Sequence, residues 1–165
     1  MRPVGGDRLD SGIGVTARPG RSSFRLQAVF PVPPPLVFAA CTEPEQLARW
    51  WGPRGFTTPG IELDLRVGGS YRIAMQPPEG ELFYLTGEFR ELDPPSRLAY
   101  TFRWEDPGPD DRETVVTISL REVGTSTEMT VEQGHFATDG RLELHEAGWT
   151  DGLERLEHAL VPGGG

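Results

Sequence analysis

Among the side chains able to move a proton or hold an ion, His145 stands on an apolar face, because Leu142, His145, Trp149, Leu153, Leu156 and Leu160 follow one another at steps of three or four residues. A neutral imidazole in that position could anchor a ligand oxygen or shuttle a proton, and it could equally be a satisfied structural residue. His145-Glu146-Ala147-Gly148-Trp149 begins like the H-E-x-x-H zinc signature, but Trp149 fills the second ligand position, which excludes a zinc protease. His135 and His158 are widely separated, so no metal set emerges, and neither a metal nor another cofactor is expected.

Cys41 has no neighbouring basic residue to stabilise a thiolate and reads as a buried, inert thiol. Val67-Gly68-Gly69-Ser70 lacks the G-x-S-x-G elbow and precedes a strand, so it is a hairpin turn. Pro107-Gly108-Pro109-Asp110-Asp111 reads as a solvated acidic turn. Tyr71, Tyr100 and Gln133 are the polar groups whose strand parity points inward, each able to hydrogen-bond a guest. Arg103 and Glu88 have the opposite parity, which a bulge would reverse.

These groups need elements to position them. Ser23 to Phe30 puts Phe24, Leu26, Ala28 and Phe30 on one face, the period of a half-buried strand, and the prolines from Pro31 to Pro35 end it. Pro35 to Ala40 reads as a short buried helix. Thr42 and Glu45 have capping-box spacing for a second helix, in which Leu47, Trp50 and Trp51 share a face before Gly52-Pro53 stops it. One of the two tryptophans is expected to pack in the core and the other to face an opening.

Six further alternating runs follow, at 61–65, 70–76, 82–91, 97–104, 113–121 and 127–133, separated by turn clusters short enough for an antiparallel meander. The last segment, 142–160, is an amphipathic helix about 28 Å long. Its polar side carries Asp151 and Arg155, an i,i+4 pair expected on a solvated face.

At 165 residues the chain fits one domain. Residues 1–20 are expected to form a flexible leader, 21–161 the folded domain and 162–165 a disordered tail. A hydrophobic fraction of 36% and a mean hydropathy of -0.40 describe a soluble protein, and no apolar run could span a bilayer. With no secretory signal in the N-terminal residues and a single cysteine, a cytoplasmic location is expected. A net charge of -9 opposes binding to a phosphate backbone, so nucleic acid is not an expected partner. All 16 basic residues are arginine.

The segments EPEQLARWWGP, VGGSYRI, GEFRELDPPSRLAYTFRW and HEAGWTDGLERLEHAL resemble the activator of Hsp90 ATPase homologue 1-like family, within the START-like (SRPBCC, Bet v 1-like) superfamily, over roughly residues 22–161. The resemblance implies an α+β helix-grip fold: a seven-stranded antiparallel curved sheet wrapped around a long C-terminal helix, with two short helices after the first strand. Members of the superfamily bind lipids, hormones and polyketides, and some are enzymes. The longer eukaryotic cochaperone that names the family resembles this chain only in part.

In such a fold one parity of each strand lines an internal space. That parity comprises Tyr71, Ile73 and Met75; Phe83, Leu85 and Phe89; Leu98, Tyr100, Phe102 and Trp104; Val116 and Ile118; and Met129, Val131 and Gln133. Trp50, Trp51 and Phe56 would close one end, with His145, Trp149 and Leu153 as the lid. The same residues would serve equally as a solid core. Three readings stay open: a non-enzymatic protein that binds a small hydrophobic molecule (a lipid, an aromatic or a polyketide-like compound); a module that docks a chaperone or a regulator, as the family name implies; and a cyclase- or hydrolase-type enzyme using His145 with Tyr71 or Tyr100. An exposed sheet edge allows a homodimer.

Overall fold

The computed structural model describes Gly14–Val15 and residues 22–161. In chain order the elements are β1 (Gly14–Val15), β2 (Phe24–Phe30), α1 (Pro34–Thr42), α2 (Pro44–Leu47), β3 (Ile61–Leu63), β4 (Ser70–Met75), β5 (Phe83–Asp93), β6 (Arg97–Trp104), β7 (Thr114–Val123), β8 (Ser126–Gly134) and α3 (Asp139–Leu160). All strands lie in one antiparallel sheet of order β1-β2-β8-β7-β6-β5-β4-β3. The meander from β3 to β8 pairs each strand with its sequence neighbour, as hairpin-length connections require, and the first long strand closes onto the last. These are the seven strands and the long C-terminal helix of a helix-grip fold.

The two-residue β1 adds an eighth strand, pairing Gly14 with Gln27 and Val15 with Leu26. It lies within the stretch expected to be a leader. The remainder of that leader and the tail over 162–165 fall outside the described residues.

The strand periodicity translates directly into burial. Phe24, Leu26, Ala28 and Phe30 of β2 are buried and alternate with more exposed positions. Leu98, Val116, Ile118, Met129 and Val131 complete a dry floor on which Leu153 and Leu156 of α3 are fully buried. A bulge between Phe89 and Glu91 shifts the register of β5 against β6. Glu88 and Arg103 still face outward, because both precede the shift along the ladder and both are exposed.

Two local expectations need correction. Thr42 is not a helix cap: it is the last residue of α1, and its hydroxyl donates to the Phe38 carbonyl at 2.8 Å. Four residues back is within reach of a threonine hydroxyl inside a helix, and that bond wins over the capping box. The N-cap of α2 is Glu43, and α2 is a single turn that ends at Leu47, so Trp50 and Trp51 sit in the turns after it. The long helix begins at Asp139, earlier than its apolar periodicity indicates, because Thr138 caps it by accepting from the Arg141 amide at 3.1 Å.

Candidate functional site: an indole-walled cleft under the C-terminal helix

The cleft is built from the segment that follows α2. Trp50 is 1% exposed and donates its indole N–H to the Ala40 carbonyl at 2.9 Å, which fixes the ring against α1. Trp51, 6% exposed, meets Trp149 of α3 edge-to-face at 5.2 Å between centroids and Trp50 at 5.6 Å. Both tryptophans are therefore buried and both also line the cleft described below, where one core-packed and one opening-facing indole were expected. Gly52 then turns the backbone with φ 97°, a conformation that favours glycine.

Arg155 of α3 holds this turn in place. Its guanidinium donates to the carbonyls of Trp51, Gly52 and Pro53 at 3.1, 3.2 and 3.3 Å. Burial lowers its pKa from the ordinary arginine range. Arg155 is thus not half of an exposed pair with Asp151. The Asp151 carboxylate instead accepts from the Arg54 amide at 3.2 Å, and the Arg54 side chain reaches Glu154 at 2.9 Å.

Between this segment, the ends of β4, β5 and β6, and α3 lies a cleft of about 300 Å³. Its lining includes Trp50, Trp51, Phe56, Met75, Phe83, Phe102, Trp104, His145 and Trp149. It also includes Gly52, Pro53, Leu144, Gly148 and Gly152, which were not among the expected site residues. Phe83 packs edge-to-face on both Phe56 and Trp104, so the aromatic rim is continuous.

His145 is the one titratable side chain among the lining residues. Its ring lies 4.9 Å from Phe136, 5.3 Å from Phe102 and 5.9 Å from Trp104, centroid to centroid. Burial among these rings brings its pKa from 6.5 down to about 4; Asp111 opposes the fall and Arg141 adds to it. Asp111 and Arg141 are themselves an ion pair at 3.2 Å. At neutral pH the cleft therefore presents an uncharged imidazole, one donor and one acceptor.

The other expected site residues lie elsewhere. Tyr71, Ile73, Phe89 and Tyr100 surround a separate void of only about 20 Å³, together with Cys41, Leu47, Trp51 and Leu63. The Tyr71 hydroxyl donates to the Thr101 carbonyl at 2.6 Å, crossing β5 at Gly87, where a Cβ would lie 2.6 Å from the tyrosine ring. Burial raises the pKa of both tyrosines and takes the Cys41 thiol up to about 12, so none of the three ionises near neutrality. Leu85, Ile118, Met129, Val131 and Leu153 are sealed in the core at 2% exposure or less. Gln133 is not available to a guest: its amide oxygen accepts from Trp149 Nε1 at 2.8 Å and its amide nitrogen donates to Thr114 Oγ1 at 2.9 Å.

The model of the family described as activator of Hsp90 ATPase homolog 1-like protein matches residues 31–161. The chain belongs to that family. No curated protein matches the sequence. Among solved structures, a protein from Chromobacterium violaceum is 30% identical, with 84% of this chain and 96% of that one covered at a TM-score of 0.78. An AHSA1 protein from Silicibacter pomeroyi is 29% identical over 84% of this chain and 97% of that one, with a TM-score of 0.73. A solution structure from Arthrobacter aurescens superposes with a TM-score of 0.81 at 24% identity, over 90% of this chain and 91% of that one, a likeness of fold.

The described residues hold no cluster of His, Cys, Asp and Glu able to bind a metal ion. No helix among them is long and apolar enough to cross a membrane. A second depression, of about 390 Å³, lies on the outer sheet face over Arg72 and Tyr84. There the guanidinium stacks 3.7 Å above the tyrosine ring and pairs twice with Glu105, leaving Arg72 committed to the protein.

Proposed function

We propose that this chain is a binding protein that holds one small, uncharged, mostly apolar molecule in the cleft between the sheet and α3. The observation that carries the reading is the cleft itself: about 300 Å³, walled by aromatic and aliphatic groups, with a single titratable side chain. That volume is at the lower end of the range of small-molecule pockets, and an apolar wall with one orienting polar group is their usual composition. His145, held neutral by burial, supplies that group. A charged guest would lose its hydration there without gaining a counter-charge, so the fit is to a neutral one.

The test is native mass spectrometry of gently purified protein, joined to titration with the neutral dye N-phenyl-1-naphthylamine. Expected is a one-to-one complex whose dye is displaced by apolar competitors. Absence of any adduct together with absence of dye binding rejects the reading. The family's description supports a second reading, a chaperone-linked interaction module, which a pull-down with an Hsp90 homologue and an ATPase assay would test; no binding at micromolar concentration removes it.

A further inference from the structure

Two glycines in the middle of α3 look out of place. Glycine is the poorest helix former after proline, yet Gly148 and Gly152 occupy successive turns of a 22-residue helix and both line the cleft. Neither has the positive φ that would require glycine. Nor does packing require it. A Cβ at Gly148 would meet one neighbouring heavy atom within 4 Å, Pro53 Cγ at 3.5 Å, and a Cβ at Gly152 would lie 3.6 Å from Trp50 Cε3 and 3.7 Å from the Gly52 oxygen. All are ordinary van der Waals separations. Alanine would therefore fit at both positions without moving α3 and would favour the helix, so stability alone does not account for the glycines.

What a side chain at 148 would occupy is the cleft. We infer that Gly148 and Gly152 are specificity-determining residues: their missing side chains open the helix side of the cleft, so that an occupant can lie with a flat face against the α3 backbone, opposite Phe83, Phe102 and Trp104. The inference rests on the cleft being a binding site and adds the shape it selects. A guest of the same volume without a flat face would leave a gap over the glycines, where dispersion attraction is lost.

The signature is a divergence between stability and affinity that a purely structural role would not give. In Gly148→Ala, Tm is expected to rise by about 1–4 °C. Dye affinity is expected to fall about ten-fold or more, the usual penalty for one unwanted methylene in a fitted pocket. Gly152→Ala is expected to move both in the same directions, and Gly148→Leu should abolish dye binding while the protein remains folded by circular dichroism. Gly140→Ala, in the first turn of α3 and outside the cleft lining, is the control, with affinity unchanged.

N-phenyl-1-naphthylamine supplies the flat-faced probe and 1-dodecanol, followed by dye displacement, the flexible one. Preference for the naphthylamine in the native chain, lost in Gly148→Ala, supports the inference. Native-level dye affinity in Gly148→Ala and Gly148→Leu overturns it while leaving the binding function standing. A fall in Tm accompanying the loss of affinity also overturns it, since the glycines would then be structural. Failure of the native chain to bind the dye rejects the binding function and this inference with it.

Discussion

If His145 is neutral because it is buried among rings, its titration must appear in the stability of the whole chain. Folding takes its pKa from 6.5 to about 4, so in the interval between those values the unfolded chain binds a proton that the folded chain refuses. The stability that His145 contributes is thus fully present above pH 6.5 and is lost as pH falls through about 4. At ~1.4 kcal/mol per pH unit the full interval corresponds to about 3 kcal/mol, and the partial exposure of the ring brings the expected loss to roughly 2 kcal/mol. Replacement by phenylalanine keeps the edge-to-face contact with Phe102 and the tilted contacts with Trp104 and Phe136 and removes the titration. Urea unfolding of both proteins between pH 7.5 and 4.5 should give similar stabilities at the upper end and a widening advantage for His145→Phe at the lower. Carboxylate titration is common to both chains and cancels to first order. Parallel stability curves, or an NMR titration of His145 centred near 6.5, would refute the burial argument.

Three further substitutions probe the packing and hydrogen bonds around the site. Arg155→Met removes the donor shared by the Trp51, Gly52 and Pro53 carbonyls; a loss of about 2 kcal/mol in urea unfolding is expected, with weaker dye binding because the indole wall is no longer pinned. Unchanged stability would mean that water replaces the guanidinium at no cost. Gln133→Leu leaves the Trp149 N–H and the Thr114 hydroxyl without their buried partner, a cost of about 1–3 kcal/mol measurable by the same method. Tyr71→Phe deletes the hydroxyl that meets the Thr101 carbonyl, costing about 1 kcal/mol, while dye affinity stays at the native level because Tyr71 lines the small void and not the cleft. A loss of affinity in that variant would mean that the two spaces communicate.

The strands and the long helix are legible because each buries one face against a common core, and a buried face imposes a period of two or of about 3.6 on the apolar residues. The family segments add the order of the elements, and the antiparallel meander then follows from short connections. The ends of elements are less legible, since Thr42 illustrates a choice among hydrogen-bond partners that differ little in energy: the hydroxyl takes the Phe38 carbonyl inside α1 in preference to capping α2. The cleft is legible only through its large side chains. Trp50, Phe56, Phe102, Trp104 and Trp149 announce an aromatic environment, but Gly148 and Gly152 contribute by what they lack, and a hydropathy pattern assigns them no direction. Parity likewise names the residues that face inward without fixing whether they meet a space or one another. Tyr71 and Met75 are both inward residues of β4, yet the first is packed around a void of about 20 Å³ and the second lines the cleft.

That difference has a physical origin in the tryptophan wall. Trp51 is common to the small void and the cleft, and with Trp50 and Trp149 it forms a partition across the inner space of the fold. The Trp50 indole N–H is bonded to Ala40 and that of Trp149 to Gln133, and the backbone at Trp51 is pinned by Arg155. A partition tied at three points cannot slide to fill the cleft, because any such movement would strand a buried donor or a row of carbonyls, each at a cost comparable to the packing energy that closing the space would release. On one side of it, Tyr71 and Phe89 each meet Tyr100 edge-to-face and meet one another at a tilt, which excludes a guest. On the other, α3 offers glycine where a side chain would have completed the packing, and the space stays open.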